Sequence, residues 1–414
     1  MTARRTLPAA GAVAAALAGR VHAAGSDTIR IGLVGTGGRG TQDVANCAVS
    51  APGVVIHALG DLIEDRVQAC YDRLKKSKDL TPEQFQVTPD RCFHGWDNHR
   101  QVIECVDLVL LCQPPGFRPH ALRDAIEAGK HVFAEKPVAV CPAGVRHVIE
   151  SARMAEEKNL GFVAGTQTRH HAAAIETVKR VRDGAIGDLR TGACYFLTGE
   201  LWHRGQDPNW SDMEYQCRNW YYFTWLSGDH IVEQHIHQHD AMNWLLDANP
   251  VKAYGVGGRQ VRTDPKWGNI WDHFGVEYEY PGGVRIMSLC RQANKAFTKV
   301  DAFVVGSKGT AFPSSGKITG ENAWSYEDEV PDPSIQEHKD LIASIRAGKP
   351  LNEGRRIAES TMVAVLGRMS AYTGREVSWK WAMEASKLDL MPKTFAFGPH
   401  PVPPVAVPGK TELI

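Results

Sequence analysis

Uninterrupted apolar runs alternate with amphipathic stretches through the first third of the chain. Residues 29–34 (IRIGLV), 54–61 (VVIHALGD), 106–111 (VDLVLL) and 131–134 (HVFA) are the runs, and TQDVANCAV and HALRDAIEAG are helical stretches between them. Apolar runs without period-two alternation are those of strands buried on both faces, so strand and helix in turn predict a doubly wound parallel sheet. From about residue 188 the texture changes. GACYFLTG, KAYGVGGRQV, DHFGVEYEY, GVRIMSLCR and VDAFVVG alternate apolar with polar positions and are separated by turn residues such as Pro281-Gly282-Gly283. That alternation predicts a largely antiparallel open sheet with one face against a cleft, an α+β second domain. Helical stretches at 334–348 and 355–374 follow, and a proline-rich tail from 391, which regular helix does not accommodate, is expected to be a linker or an arm over a neighbour. The division expected is a leader at 1–25, a nucleotide domain at 26–150, a second domain at 151–385 and an arm at 386–414.

The first apolar run ends in Gly35-x-Gly37-x-x-Gly40, and a helical stretch leaves these glycines directly. In that setting Gly35 allows a tight turn, Gly37 a close approach of backbone to pyrophosphate, and Gly40 helix–strand packing, with the phosphates at the helix N-terminus. Gly38 and Arg39 complete the loop. The second strand ends at Asp61, 21 residues beyond Gly40. An acid there accepts hydrogen bonds from ribose hydroxyls and repels a 2′-phosphate, which favours NAD over NADP. Lys136, between Glu135 and Pro137, stands at the end of another strand, where the following proline biases its backbone to an extended form and lets the side chain reach into the cleft.

Composition removes several partner classes. Lys+Arg and Asp+Glu both number 47, leaving no net field for nucleic acid or an anionic membrane surface. The nine cysteines are scattered singly, in neither a disulfide framework nor a zinc ribbon, and most are expected to be buried small apolar residues. The first 25 residues combine Arg4-Arg5, a mildly apolar Ala/Gly/Leu stretch and Val21-His22-Ala23, the pattern of a twin-arginine export signal, which implies a periplasmic mature protein. No stretch reaches the ~18 apolar residues of a membrane span.

GLVGTGGRG, the acid-terminated strand, Pro114-Pro115 with His120, AEKP, and RDGAIGDLR at 182–190 together resemble the Gfo/Idh/MocA oxidoreductases over residues 28 to 375. The resemblance implies a Rossmann-like parallel sheet, NAD or NADP chemistry on sugars, inositols or related polyols, and homo-oligomer contacts through the outer face of the second sheet. It adds Pro114, His120, Glu135 and Lys136 to the cofactor candidates.

The segment HIVEQHIHQHD, residues 230–240, holds His230, His235, His237 and His239. By the resemblance, Glu233, His237 and Asp240 match the family's acid, histidine and aspartate, except that the first acid is Glu rather than Asp. On a continuous helix Glu233 and His237 are neighbours, with Cβ atoms about 5–6 Å apart, so the carboxylate orients the imidazole and raises its proton affinity. His237 is then the proton-transfer group, with Lys136 hydrogen-bonding the same substrate oxygen. A metal cage is the rival reading, but His235 and His239 share one helical face and Glu233 and His237 another, so no resident metal is expected. Arg169, Trp220, Tyr222, His235 and Asp240, with Lys136, are candidates for substrate contact. Export away from a free NAD pool implies a tightly bound cofactor recycled in place. That leaves paired oxidation and reduction of sugars, or a redox-neutral glycosidase or lyase acting through a transient keto-sugar. A non-catalytic carbohydrate-binding or regulatory protein is the alternative of another class.

Overall fold

The structure, a computed structural model, describes residues 28–414; the leader expected at 1–25 lies outside the described residues. Six parallel strands form the first sheet: β1 (Ile29–Val34), β2 (Val54–Asp61), β3 (Cys92–His94), β4 (Leu108–Leu111), β5 (His131–Ala134) and β6 (Phe162–Ala164), in the order β3-β2-β1-β4-β5-β6. The strand order reverses between β2-β1 and β4, which opens a crevice beyond the carboxyl ends of β1 and β4. Helices Gly38–Ser50, Glu64–Lys75, Asn98–Cys105, Arg118–Glu127 and Pro142–Glu157 cover the two faces. The parallel sheet extends past residue 150, because β6 pairs with β5 after the helix 142–157 has returned the chain.

The second sheet has nine strands: β7 (Leu189–Thr198), β8 (Lys252–Gly258), β9 (His273–Glu279), β10 (Arg285–Gln292), β11 (Lys299–Gly306), β12 (Gly309–Phe312), β13 (Lys317–Gly320), β14 (Trp324–Ser325) and β15 (Val377–Ser378). Their order is β14-β13-β12-β11-β7-β10-β9-β8-β15, antiparallel except where β10 meets β7. Every second residue of β9 and β10 is buried. The inner face packs on helices Ile236–Leu246 and Gly354–Thr373, while Tyr254, Val256, Met287 and Val300 remain exposed.

Two segments tie the domains together. Helix Gly354–Thr373 is buried around nearly its whole circumference, lying between the second sheet and helix Pro142–Glu157. Helix Pro333–Arg346 returns to the first domain, placing Leu341, Ile342 and Ile345 in the core beneath β1 and β4. The proline-rich tail packs on its own chain: the Trp271 indole donates to Ala406 O at 3.2 Å, the Gly409 amide to Thr373 O at 3.0 Å, and Ser386 Oγ to Ile414 O at 2.6 Å. All nine cysteines are free, and six are buried. Among the described residues no helix is long and apolar enough to cross a membrane.

Candidate active site

The glycine loop has the shape a pyrophosphate needs. Gly35 lies at φ +95°, and a Cβ there would stand 2.3 Å from the Gln113 amide nitrogen. At Gly40 a Cβ would stand 2.1 Å from Gly35 O, so the helix can press on the strand only without side chains at both positions. At Gly37 and Gly38 it would meet nothing within 4 Å, which leaves an open cradle at the N-terminus of helix 38–50. Asp61 ends β2 with its carboxylate fixed by three donors: Thr36 N at 2.7 Å, Thr36 Oγ1 at 3.1 Å and Ile63 N at 3.0 Å. Gly35, Asp61, Pro114 and His120 line one cavity of about 390 Å³. These residues fit a dinucleotide, which would place its phosphates at the glycines and its adenosine ribose at Asp61.

Glu135 lies behind the loop, 2 % exposed, where it accepts Arg39 Nε at 2.8 Å and the Lys136 amide at 3.0 Å. Burial raises its proton affinity, but Arg39, Lys136 and Arg118 together outweigh this and hold the carboxyl below its ordinary pKa. Arg39 also meets Asp43 at 3.0 Å. Glu135 and Arg39 thus brace the pyrophosphate loop.

Lys136 crosses to the second domain. After β5 the chain passes through a cis Lys136–Pro137 bond, and Nζ donates to Glu233 Oε1 at 3.1 Å and to the Glu233 carbonyl at 2.7 Å. Both residues are buried, at 9 % and 6 % exposure. Arg118, a buried cation the sequence reading passed over, donates to the Pro137 carbonyl and lies close enough to Glu135 and Glu233 to favour their charged forms.

The histidine segment is not one helix. Asp229, at φ +73°, caps the short helix His230–Glu233 and accepts from His230, the Trp271 amide and the Tyr372 hydroxyl; a second helix then begins at Ile236. The Glu233 carbonyl, which in an unbroken helix accepts the His237 amide, accepts Lys136 Nζ instead. The expected Glu233–His237 pair is therefore replaced by Glu233–Lys136. Burial raises the Glu233 pKa, and Lys136 offsets part of the rise. His237 is half-buried, and its ring makes no hydrogen bond among the described residues. Burial first, and then the Lys136 charge, push its pKa down to about 3, the reverse of the rise expected from a carboxylate neighbour. The imidazole is therefore neutral, with a lone pair on one ring nitrogen.

His235 and His239 face the other way, into the core against the second sheet, with ring centroids 4.4 Å apart. Both Nε2 atoms meet Ser288 Oγ, at 2.7 and 2.9 Å, and Cys194 Sγ lies 3.8 Å from His235. The Cys194, His235 and His239 ligand atoms lie within 4.8 Å of one another, close enough for a metal ion. A hydroxyl that donates to one imidazole and accepts from the other satisfies both Nε2 atoms without one. His235, 0 % exposed, does not reach the cleft as a substrate contact.

Other substrate candidates are likewise occupied. Asp240 accepts Arg169 Nε at 2.8 Å, Arg356 Nη1 at 3.0 Å and Ser360 Oγ at 2.7 Å, which holds its carboxyl far below the ordinary range against the opposing effect of burial. Arg169 is spent on that pair and stacks 4.6 Å from the Trp244 ring centre. Tyr222 is fully buried, its hydroxyl bonded to the Leu201 and Trp202 carbonyls. Trp220 is half-buried beside Trp202 and Tyr221. The structure thus brings together Lys136, Glu233 and His237, with Asp240 one turn along the helix and held by Arg169 from the turn Gln167–His170.

Comparison with known proteins bears on the fold and the family. Residues 29–164 match the oxidoreductase family with an NAD-binding Rossmann fold, and residues 175–312 match the GFO/IDH/MocA C-terminal domain. An inositol 2-dehydrogenase of Rubrobacter xylanophilus is 26% identical over 300 residues, 71% of this chain and 74% of that one. A 2,7-anhydro-N-acetylneuraminate hydratase of Escherichia coli is 25% identical over 207 residues, which is 50% of either chain. The crystal structure of an aldose-aldose oxidoreductase from Caulobacter crescentus superposes with a TM-score of 0.65 at 19% identity, covering 85% of this chain and 99% of that one. The chain belongs to the Gfo/Idh/MocA oxidoreductases, with an NAD-binding Rossmann domain followed by the family's C-terminal domain.

Proposed function

We propose that the protein oxidises a secondary hydroxyl of a sugar or polyol, with its NAD held tightly and recycled in place by returning the hydride to the carbonyl of a second sugar. The carrying observation is the placement of Lys136 Nζ, pinned by Glu233, beside a neutral His237 whose ring has no hydrogen-bond partner among the described residues. NAD, when bound, supplies the hydride acceptor. Two of the three Lys136 ammonium hydrogens are directed at Glu233, which leaves one for a substrate oxygen. That hydrogen bond strengthens as alkoxide character develops, while His237 takes the hydroxyl proton at an open ring nitrogen. Glu233 orients the ammonium. The inositol dehydrogenase relative supports a polyol or sugar substrate.

The hydratase relative favours a second reading, in which a transient ketone acidifies the adjacent C–H, a bond is cleaved, and the reaction is redox-neutral overall. Arg4-Arg5 and the stretch after them support export to the periplasm, where retention of the cofactor matters most. The exposed apolar face of Tyr254, Val256, Met287 and Val300 supports association of copies of the chain.

The test is a panel of sugars and polyols offered to protein purified without added cofactor, with acid release to count bound dinucleotide. A ketone product with reduction of bound NAD supports oxidation. A cleaved product with no net reduction supports the second reading, and protein that neither contains nor binds NAD overturns both. Cell fractionation tests export.

A further inference from the structure

We infer that the C-terminal segment 391–400 completes the adenine end of the cofactor site, with Phe395 as one wall and the hydrogen bonds of residues 398–400 as its anchor. The inference rests on the assignment of the cavity beyond β1 and β4 to a dinucleotide. Asp61, which marks the ribose, shares that cavity with Leu62, Trp96, Phe117 and Phe395, three of them aromatic. Phe395 stands 5.8 Å from Trp96 and 6.0 Å from Phe117, and Phe397 stands 5.3 Å from Trp96, ring centre to ring centre. Yet Phe395 and Phe397 remain 39 % and 45 % exposed. Phe395 lines the cavity and Phe397 packs on Trp96 beside it, so part of each ring is left open to solvent, and an adenine has a flat face that would cover the Phe395 ring.

The segment is held on both sides of these rings. Upstream, the Ala143 amide donates to Leu388 O at 3.4 Å. Downstream, the Met213 amide donates to Gly398 O at 3.1 Å, the Gly398 amide to Ser211 Oγ at 3.1 Å, the His400 amide to Asp212 Oδ2 at 3.2 Å, and Gln216 Nε2 to His400 O at 2.5 Å. The anchoring helix, Asp212–Arg218, is itself fastened to the cavity: Arg218 pairs with Asp65 at 2.9 Å, and Arg66 donates to Arg218 O at 3.1 Å. Strap, anchor and adenine pocket therefore form one unit. Pro392, Pro399, Pro401, Pro403 and Pro404 stiffen the tail and lower the entropy lost in laying it down.

The experiment compares wild type, Phe395→Ala and a chain ending at Leu390. It follows bound NAD after acid release, its rate of displacement by excess ADP-ribose, and the calorimetric affinity for AMP, which carries only the adenosine end. Expected is a rise in the NAD dissociation rate of roughly tenfold or more in Phe395→Ala, the scale of one lost base–aromatic stack, with a parallel loss of AMP affinity. The shortened chain is expected to lose more, and its circular dichroism shows whether it folds; Phe395→Ala decides the matter if it does not. Wild-type protein that binds NAD while Phe395→Ala releases NAD and binds AMP unchanged overturns the strap alone. Loss of NAD affinity with AMP affinity intact also overturns it. Wild-type protein that binds neither ligand overturns the dinucleotide assignment as well.

Discussion

Lys136 Nζ lies 3.1 Å from Glu233 Oε1 and 2.7 Å from the Glu233 carbonyl, one lysine holding both ends of a residue in the other domain. The contact lies at the break in the helix that would have paired Glu233 with His237, and it leaves Lys136 as the charge that acts on both. Lys136→Met is expected to lower turnover by roughly 10²-fold or more, while NAD affinity, measured by calorimetry, changes little. It also leaves a buried carboxylate without its cation, so a fall in denaturation midpoint is expected alongside. Glu233→Gln keeps a hydrogen-bond acceptor and should affect both less. A Lys136→Met enzyme with wild-type turnover on a confirmed substrate would remove lysine from the reaction.

His237→Ala should lose a similar factor in turnover, on the usual scale of a proton-transfer group. The pH profile is the sharper measurement. Because the His237 pKa is pushed down to about 3, the imidazole stays neutral as pH falls from 8 to 5, so kcat/KM should show no His237-dependent decline near the ordinary histidine value. An acid limb near pH 6.5 that disappears in the variant would contradict the depressed pKa.

Asp61→Ala should weaken NAD binding and narrow the preference for NAD over NADP, since the carboxylate that repels a 2′-phosphate is lost. The wild-type side chain is oriented by three donors from Thr36 and Ile63, so its replacement also loosens the loop that carries it. Dissociation constants for both dinucleotides decide this; an unchanged ratio would place selectivity elsewhere.

Stability should depend on pH through His170. Burial opposes its charge, but the hydrogen bond of Nδ1 to Asp340 at 2.6 Å and the Glu353 carboxylate 3.7 Å from Nε2 prevail and raise its pKa to about 9. A raised folded-state value stabilises the protein fully below the unfolded value of ~6.5, and this is lost as pH rises through about 9. The contribution is on the order of 1–3 kcal/mol. Urea midpoints should therefore fall between pH 7 and 9.5 in wild type and change less in His170→Gln.

The core histidines allow a separate test. Ser288→Ala leaves two buried imidazole nitrogens without their shared hydroxyl and should lower stability by roughly 2–4 kcal/mol, with NAD affinity unchanged. Chelation should have no effect on stability or turnover. One zinc per chain, lost together with stability in Cys194→Ser, would assign the cluster to an ion.

Much of the nucleotide domain was legible in the sequence because its determinants are local. Apolar runs buried on both faces, a glycine triad beginning a helix, and an acid ending the next strand each follow from a few adjacent residues whose backbone requirements the tertiary structure has no reason to change. The alternating segments likewise announced a second sheet with one covered face.

What tertiary structure decided are the contacts between distant segments. Helical spacing paired Glu233 with His237, yet a lysine 97 residues away takes the Glu233 carbonyl where the helix breaks, because a buried ammonium without acceptors costs more than one intrahelical hydrogen bond. His235 and His239 stood beside His237 in the same string of letters. Their direction was settled by Ser288 and Cys194 on β10 and β7, and no local pattern announces the arrival of those strands. The tail offered only prolines and two phenylalanines. That its Phe395 lines the cavity beside Asp61 depends on Trp96, Phe117 and the helix at 212–218, which lie far upstream in sequence. Periodicity determines which face of an element is apolar, whereas the residue that meets a given polar atom depends on where the rest of the chain has packed.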